Sequence, residues 1–160
     1  MITTNYLLLL KLLAVLGCGL VAGVFFAFST FVMPALARLE QTQGIVAMQS
    51  INIKAINPLF MVALFGTALI CLAIAVCSLL NWQQANILLL IGSLLYLLGT
   101  VGVTIACNVP LNNALAIAKV EDLASTKLWA EYLSNWTFWN HIRTIAASIA
   151  TVLLAIALYD

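Results

Sequence analysis

Charged residues are scarce in this sequence of 160 residues, which has six Lys or Arg and five Asp or Glu, or 7% of the chain. A soluble domain carries about 25% charged residues. So few charges cannot solvate a soluble globule or form the basic face that nucleic-acid binding requires. The 65% of hydrophobic residues also exclude a disordered chain. The composition predicts a protein that resides in the lipid bilayer and binds no nucleic acid.

Metal-ligating residues are equally rare. The sequence has a single histidine, His141, and its four cysteines contain no C-x-x-C pair. One histidine provides too few ligands for a zinc, di-iron or bis-histidine haem site. We therefore predict no metal site. The cysteines all fall in hydrophobic stretches and are interpreted as buried thiols; they are Cys18, Cys71, Cys77 and Cys107.

The few charges delimit long charge-free stretches at 12–37, 55–118 and 144–159. A transmembrane helix needs about 20 apolar residues, so the middle stretch accommodates two helices, joined by a turn at 81–86 that contains Trp82. The last stretch is short, and its helix must begin near Trp136 and include Arg143. We predict an all-α integral membrane four-helix bundle forming one domain, with spans at about 6–33, 57–80, 87–108 and 136–159.

Four spans place the two longer loops, 34–56 and 109–135, on one side of the membrane. Most basic residues lie on that side, namely Arg38, Lys54, Lys119 and Lys127. Acidic residues share it, including Glu121 and Asp122, but acids count little in the positive-inside rule. That rule puts both loops in the cytoplasm and both termini on the non-cytoplasmic side.

Three local signals refine the helices. Pro110 predicts that the third helix closes just before it. Gly19 and Gly23 have the spacing of close helix contacts in lipid. Lys127 and Glu131 are four residues apart, which predicts a short amphipathic helix within 116–135. We interpret it as a surface helix at the membrane interface, with a lid over a pocket as the alternative.

Polar side chains inside the spans carry most of the functional information, because each is costly in hydrocarbon. On a fourth helix drawn at about 100° per residue, nearly all hydrogen-bonding side chains fall in one arc of roughly 160°. Such a face must point into the bundle or a wet cavity. It comprises Trp136, Thr137, Asn140, His141, Arg143, Thr144, Ser148 and Thr151, whereas the indole of Trp139 lies outside it.

The third helix has a matching polar face, with residues four apart: Tyr96, Thr100, Thr104 and Asn108. Asn112 follows this face, and Asn57 opens the second helix. We expect all these groups to gather at the helix ends on the side of the two loops. Taken singly, the asparagines and threonines are interpreted as helix-to-helix hydrogen bonds. His141 with Arg143 instead indicates a site.

Five segments carry a family resemblance, in order along the chain: GVFFAFSTFVMPAL (23–36), MQSIN (48–52), NPLF (57–60), NVPLNNAL (108–115) and WTFWNHIRT (136–144). They are similar to segments of the anthrone oxygenase-like membrane family, DUF1772. Named members of that family oxidise an anthrone to an anthraquinone with O₂ and no evident cofactor. The resemblance implies a planar, lipophilic phenolic or anthrone-like substrate, with O₂ as the second reactant.

The resemblance also implies roles for the polar residues. His141 would be the base that removes a C–H proton, while Arg143 and Asn140 would hold the resulting oxyanion. His141 and Arg143 lie about 160° apart around the helix, so they can flank a wide planar substrate but not one compact group. Amides and aromatic rings would bind the substrate, namely Asn108, Asn112, Trp136, Trp139, Asn57 and Tyr96.

Two other function classes stay open. One is a non-catalytic membrane module that binds a quinone, a lipid or a protein partner, and tolerance of His141→Gln would favour it. The other is a small transporter. The spans hold no acidic residue to relay protons, and four spans need a homo-oligomer to frame a path, so we rank the transporter last.

Overall fold

The computed structural model describes residues 2–80, 86–119 and 123–159. The predicted turn residues 81–85 with Trp82, and Glu121 and Asp122 of the second loop, lie outside this described part. All regular structure within it is helical, which confirms the predicted all-α class. The described residues form five helices in succession.

Helix α1 runs through Ile2–Ala27, a π-helical stretch Phe28–Val32 and Met33–Leu36. Helix α2 is Gln41–Ala55. Helix α3 runs through Pro58–Met61, a π-helical stretch Val62–Gly66 and Thr67–Leu80. Helix α4 runs through Asn86–Leu94, the π-helical stretches Leu95–Gly102 and Thr104–Asn108, and Val109–Ala116. Helix α5 is Leu123–Ile156.

Four of these helices are long and apolar enough to cross a membrane: α1, α3, α4 and α5. They pack side by side, with α5 along both α1 and α4, and α3 against α1 and α4. Their outer faces expose large apolar residues such as Leu16, Leu69 and Ile145, which suits contact with lipid. The protein is therefore a multi-pass integral membrane protein.

Helix α2 does not span the bundle but covers its end on the side of the two loops. Ile45 and Met48 of α2 are fully buried there against Trp129 and Tyr132 of α5. The side chain of Gln49 donates hydrogen bonds to the carbonyl oxygens of Leu115 (2.9 Å) and Ala118 (3.4 Å), at and beyond the end of α4. This end of the bundle is thus closed by an apolar cluster of α2 and α5 residues.

The prediction that Pro110 closes the third helix is wrong. Helix α4 continues through Pro110 to Ala116. The part of α4 that contains the proline, Val109–Ala116, follows directly after the π-helical stretch Thr104–Asn108. Pro110 is the second residue of Val109–Ala116. A proline lacks the N–H that a helix interior uses, but the first turn of a new helical segment does not need it. The π-helical stretch supplies that new start without ending the helix.

The fourth spanning helix begins at Leu123 and not near Trp136 as predicted. The amphipathic helix expected within 116–135 forms the first turns of α5 and is not a separate surface helix. The chain has neither glycine nor proline after Pro110, so nothing in the sequence interrupts these 34 helical residues. The predicted pair of Lys127 and Glu131 is present on its exposed side (Nζ to Oε1, 3.8 Å).

The glycines that permit close helix packing are not those predicted. Gly23 faces the outside of the bundle, where an added Cβ would meet no atom within 4 Å, and Gly19 has only ordinary contacts. Gly99 of α4, in contrast, would bring a Cβ to 2.6 Å from the Cβ of Ala146 in α5. The absence of a side chain at Gly99 therefore sets how closely α4 approaches α5.

We predict that Gly99→Ala destabilises the bundle, whereas Gly23→Ala is neutral or slightly stabilising. The new methyl at 99 would overpack a helix contact, at a typical cost of about 1–3 kcal/mol, while alanine at 23 only improves helix propensity. Thermal unfolding of both variants in detergent measures the difference. Equal melting temperatures would contradict the close contact of α4 with α5.

Candidate functional site

The guanidinium of Arg143 is buried inside the bundle, with 4% of the residue exposed. Arg143 lies seven residues beyond Trp136 in α5, which is about 10 Å along the helix. No carboxylate oxygen of the described residues lies within ion-pair distance of the Arg143 guanidinium. The ion pair found among those residues joins Lys127 and Glu131, which are exposed. An arginine inside apolar spans is costly and by default marks a functional site.

Two hydrogen bonds and two aromatic rings surround this cation. Nη2 of Arg143 donates to Oδ1 of Asn140 at 2.7 Å, and Nη1 donates to Oγ1 of Thr104 at 3.3 Å. The guanidinium carbon lies 4.1 Å from the ring centroid of Phe25 and 5.1 Å from that of Trp136. Cation–π contacts of this kind stabilise a desolvated cation by about 2 kcal/mol.

Asn140 connects the arginine to α1. Its Nδ2 donates to the backbone oxygen of Phe25 (2.8 Å) and to Oγ of Ser29 (2.7 Å). Ser29 in turn shares a hydrogen bond with Thr144 of α5 (3.1 Å). Asn140 is fully buried, so both ends of its amide are used inside the protein. Three helices, α1, α4 and α5, therefore meet at one polar centre.

The helices that face Arg143 contain π-helical stretches close to it. In α1 the stretch Phe28–Val32 includes Ser29, and in α4 the stretch Thr104–Asn108 includes the hydroxyl that Arg143 contacts. The longer stretch Leu95–Gly102 includes the fully buried Thr100. π-helical turns are rare and often occur at functional sites, because they shift side chains and backbone carbonyls out of the ordinary helical register.

Three buried polar atoms of this centre have no hydrogen-bond partner among the described residues: Nε of Arg143, Oδ1 of Asn108 and Oγ1 of Thr100. Each residue is at most 4% exposed. An unsatisfied buried donor or acceptor costs about 1–3 kcal/mol. Such groups indicate a polar partner that the protein chain itself does not provide, either a bound molecule or water.

Stacked aromatic rings lead from the α2 end of the bundle to Arg143. The rings of Trp129 and Tyr132 are stacked at 5.7 Å, and those of Tyr132 and Trp136 at 6.0 Å. Oδ1 of Asn112 accepts both the Tyr132 hydroxyl and the Trp136 indole N–H, each at 2.8 Å. Asn112 thus fixes the Trp136 ring that contacts Arg143. The side-chain oxygen of Asn112 already accepts these two hydrogen bonds.

The structure brings together five of the nine predicted site residues, within or beside the Arg143 centre. Arg143, Asn140 and Asn108 belong to it directly, and Trp136 and Asn112 border it. They lie inside continuous helices and not at helix ends as predicted, because α4 and α5 both extend further towards the loops. Of the predicted polar face of the fourth helix, Trp136, Asn140, Arg143 and Thr144 are buried, whereas His141 and Ser148 are exposed.

The other four predicted residues lie elsewhere. His141 is exposed on the outside of α5, and half-buried Trp139 contacts the exposed ring of Phe138. Asn57 caps α3 by accepting the N–H of Phe60 at 3.0 Å. Tyr96 is fully buried and donates to the backbone oxygen of Leu64 at 3.0 Å.

The position of His141 corrects the helical-wheel argument. His141 was placed at the edge of a wide polar arc, but α5 is covered by α1 and α4 only on the side of Asn140, Arg143 and Thr144. Residues two apart on a helix, such as His141 and Arg143, lie about 160° apart around its axis. Burial of Arg143 therefore leaves His141 on the outside of the bundle.

Several residues of the centre were not predicted as site residues. Thr104 was recognised as part of the polar face of α4, and its spacing from Asn108 could have identified it. Ser29 is a polar residue within an apolar span, which is a usable signal. Phe25 and Tyr132 gave no signal, because an aromatic residue in a span is most often simply buried.

Residues able to bind a metal do not cluster in the described ranges, where no three His, Cys, Asp or Glu side chains come together. The predicted burial of the cysteines is confirmed for Cys18 and Cys71, which are fully buried. It is wrong for Cys77, which lies on the outer surface, and Cys107 is half-buried. The Arg143 centre is therefore built from amide, hydroxyl, guanidinium and aromatic groups.

We predict that Asn140→Leu lowers the free energy of unfolding by about 2 kcal/mol or more, because it removes a hydrogen bond to a charged group and leaves the Arg143 guanidinium short of an acceptor. Asn135→Leu is the matched control, since Asn135 lies on the same helix but is exposed. Thermal or denaturant unfolding in detergent micelles compares the two. A loss of stability equal in both variants would mean that Asn140 does not hold the centre together.

Comparison with known proteins identifies the family. The family model for anthrone oxygenases matches residues 57–153, which is more than half of the chain and covers α3, α4 and most of α5. No curated protein and no solved structure matches the chain. The matched range contains Arg143, Asn140 and Asn108, whereas Phe25 and Ser29 of α1 precede it. The chain belongs to the anthrone oxygenase family of membrane proteins.

Proposed function

We propose that the protein is an oxygenase that acts within the membrane on a planar, lipophilic phenol or anthrone and uses O₂ without a cofactor. The observation that carries the proposal is the buried Arg143 guanidinium, which has no carboxylate partner among the described residues and whose Nε–H has no acceptor there. A buried cation without a counter-ion is suited to an anionic ligand. Membership of the anthrone oxygenase family supports an aromatic substrate that can form such an anion.

Charge stabilisation is the chemical contribution of this centre. Loss of a proton from an anthrone gives an anion whose charge rests largely on the phenolate oxygen. Nε of Arg143 is free to donate to that oxygen, and Asn140 and Thr104 hold the guanidinium in place. Electrostatic groups fixed before reaction in a dry site typically contribute about 3–4 kcal/mol to transition-state stabilisation.

Aromatic residues provide the binding surface for a flat substrate. Phe25 and Trp136 both face the guanidinium, and the ring of Phe28 lies 5.6 Å from that of Trp136. A planar aromatic anion stacked against such rings keeps its oxygen near Arg143 while its apolar area leaves water. The same rings exclude water from the reacting carbon.

The reaction then follows in balanced steps. The substrate CH₂ group loses one proton, and the resulting anion transfers one electron to O₂, giving a carbon radical and superoxide. The two radicals combine to form a C–O bond, and the peroxide anion takes up a proton. Loss of water from this hydroperoxide leaves the ketone, so that one O₂ is consumed and one water is released for each quinone formed.

His141 was expected to be the base, but its exposure on the outer face of α5 separates it from Arg143. In the present proposal the field of Arg143 lowers the pKa of the substrate, so that the substrate binds as its anion and leaves its proton to bulk water. His141 can serve as base only for a substrate that lies against the outer face of α5. The two arrangements make opposite predictions for substitutions.

We predict that Arg143→Met lowers kcat/KM for anthrone oxidation by about 100-fold or more, because it removes the oxyanion partner. His141→Gln is the matched substitution on the same helix, and we expect it to change kcat/KM by less than about threefold. Oxygen uptake and quinone absorbance of purified protein in detergent measure both, with anthrone autoxidation subtracted. A large loss in His141→Gln with an active Arg143→Met would move the reaction to the outer face and contradict the proposal.

A second candidate function is a non-catalytic module that binds a quinone or a phenol. It is favoured by one observation, that the described residues around Arg143 include neither an imidazole nor a carboxylate to act as a base. Under this alternative, wild-type protein would consume oxygen no faster than the uncatalysed background while still binding anthraquinone. The same oxygen-uptake experiment therefore separates the two candidates.

We also propose the orientation that the basic loop residues favour. Arg38 precedes α2, Lys54 lies in its last turn, and Lys119 follows α4, all at the end that α2 covers. By the positive-inside rule this end is cytoplasmic and both termini are non-cytoplasmic. A substrate would then approach the Arg143 centre either from the cytoplasmic interface or from the adjacent lipid.

A further inference from the structure

The Arg143 centre contains one hydrogen-bond donor and one hydrogen-bond acceptor that have no partner among the described residues. Nε–H of Arg143 is a donor without an acceptor, and Oδ1 of Asn108 is an acceptor without a donor, among the residues that the structure describes. Asn108 is 1% exposed and Arg143 is 4% exposed. A single cationic centre would require only an acceptor from its ligand. The unpaired oxygen of Asn108 requires a donor as well.

The orientation of the Asn108 amide follows from its neighbour. Its Nδ2 donates to the backbone oxygen of Trp136 at 3.1 Å. A backbone carbonyl can only accept, so the amino group of Asn108 must face it and the amide oxygen must point elsewhere. Rotating the amide would bring two oxygens together. The free acceptor is therefore a consequence of the packing of α4 against α5.

Asn108 and Arg143 are neighbours through two shared contacts. Trp136 accepts the Asn108 hydrogen bond with its backbone oxygen, and its ring lies 5.1 Å from the guanidinium carbon. Thr104, which accepts a hydrogen bond from Arg143, lies one turn from Asn108 on the same helix. The unpaired donor and the unpaired acceptor thus belong to two residues that both contact Trp136.

We infer that Asn108 is a specificity-determining residue that selects ligands carrying a hydroxyl group in addition to the oxygen bound by Arg143. The ligand class is a hydroxylated aromatic ketone or its enolate, whose carbonyl or anionic oxygen accepts from Nε of Arg143 and whose hydroxyl donates to Oδ1 of Asn108. The inference rests on the site of the proposed function, but it concerns recognition and does not require turnover. Oγ1 of Thr100, also unpaired, can donate or accept and therefore does not restrict the ligand further.

Two product-like probes test this recognition directly: 2-hydroxyanthraquinone and unsubstituted anthraquinone. Both carry the carbonyl oxygens, but only the first carries a hydroxyl. Binding is measured by quenching of tryptophan fluorescence in detergent, below the pKa of the phenol so that the hydroxyl keeps its proton. The measured quantity is the ratio of the two dissociation constants for each protein variant, because this ratio removes effects common to both probes.

Asn108→Leu is the informative variant, and Thr104→Val is its matched control one turn away. We expect Asn108→Leu to reduce the preference for the hydroxylated probe about fivefold or more, the effect of losing one neutral hydrogen bond. Thr104→Val should weaken both probes alike and leave the ratio unchanged. Asn108→Ala serves the same purpose if the leucine variant does not fold.

An unchanged ratio of dissociation constants in the Asn108 variants would overturn the inference. A wild-type protein that binds neither probe would overturn it as well. If oxygen uptake with anthrone is found but the ratio does not respond to Asn108, the proposed oxygenase stands and the specificity role fails. If the ratio responds but no oxygen is consumed, Asn108 recognises a hydroxylated ligand in a protein that is not an oxygenase.

Discussion

The burial of the Arg143 guanidinium among apolar helices is the constraint on which the rest of the structure depends. In hydrocarbon such a cation needs hydrogen-bond acceptors inside the protein, and no carboxylate is among the described residues near it. Asn140 and Thr104 provide the acceptors, while Phe25 and Trp136 cover the guanidinium from α1 and α5. The cation thereby fixes α1, α4 and α5 relative to one another, while its Nε–H has no acceptor among the described residues.

The local irregularities of the bundle are consistent with this constraint. Ordinary helices in lipid satisfy all their backbone groups internally and offer nothing to a neighbouring side chain. In α1, the carbonyl of Phe25 lies just before a π-helical stretch and accepts a hydrogen bond from Asn140. In α4, the π-helical stretch Thr104–Asn108 holds both the acceptor for Arg143 and the unpaired oxygen of Asn108, and it also lets the helix continue through Pro110.

Much of the fold could be predicted from the sequence, because charge-free stretches of spanning length have one physical explanation. Part of the site could also be predicted, because a polar face on α5 must be buried in a membrane protein and Arg143 and Asn140 belong to that face. Which residues at the edge of this face are buried could not be predicted. Whether His141 is buried depends on how α1 and α4 cover α5, and residue spacing does not contain that information. Phe25 and Ser29 enter the site through tertiary packing, and both precede the range matched by the anthrone oxygenase family.

The most direct test of a buried, functional Arg143 cation is an anaerobic pH titration of anthrone bound to the protein, followed by the visible absorbance of its anion. Without oxygen the anion cannot react further, so the titration measures only how strongly the site favours the charged form. Binding to the wild type should lower the apparent pKa of anthrone by about one unit or more, relative to the Arg143→Met variant, which corresponds to about 1.4 kcal/mol of charge stabilisation. An equal or higher pKa in the wild type would contradict an oxyanion site at Arg143.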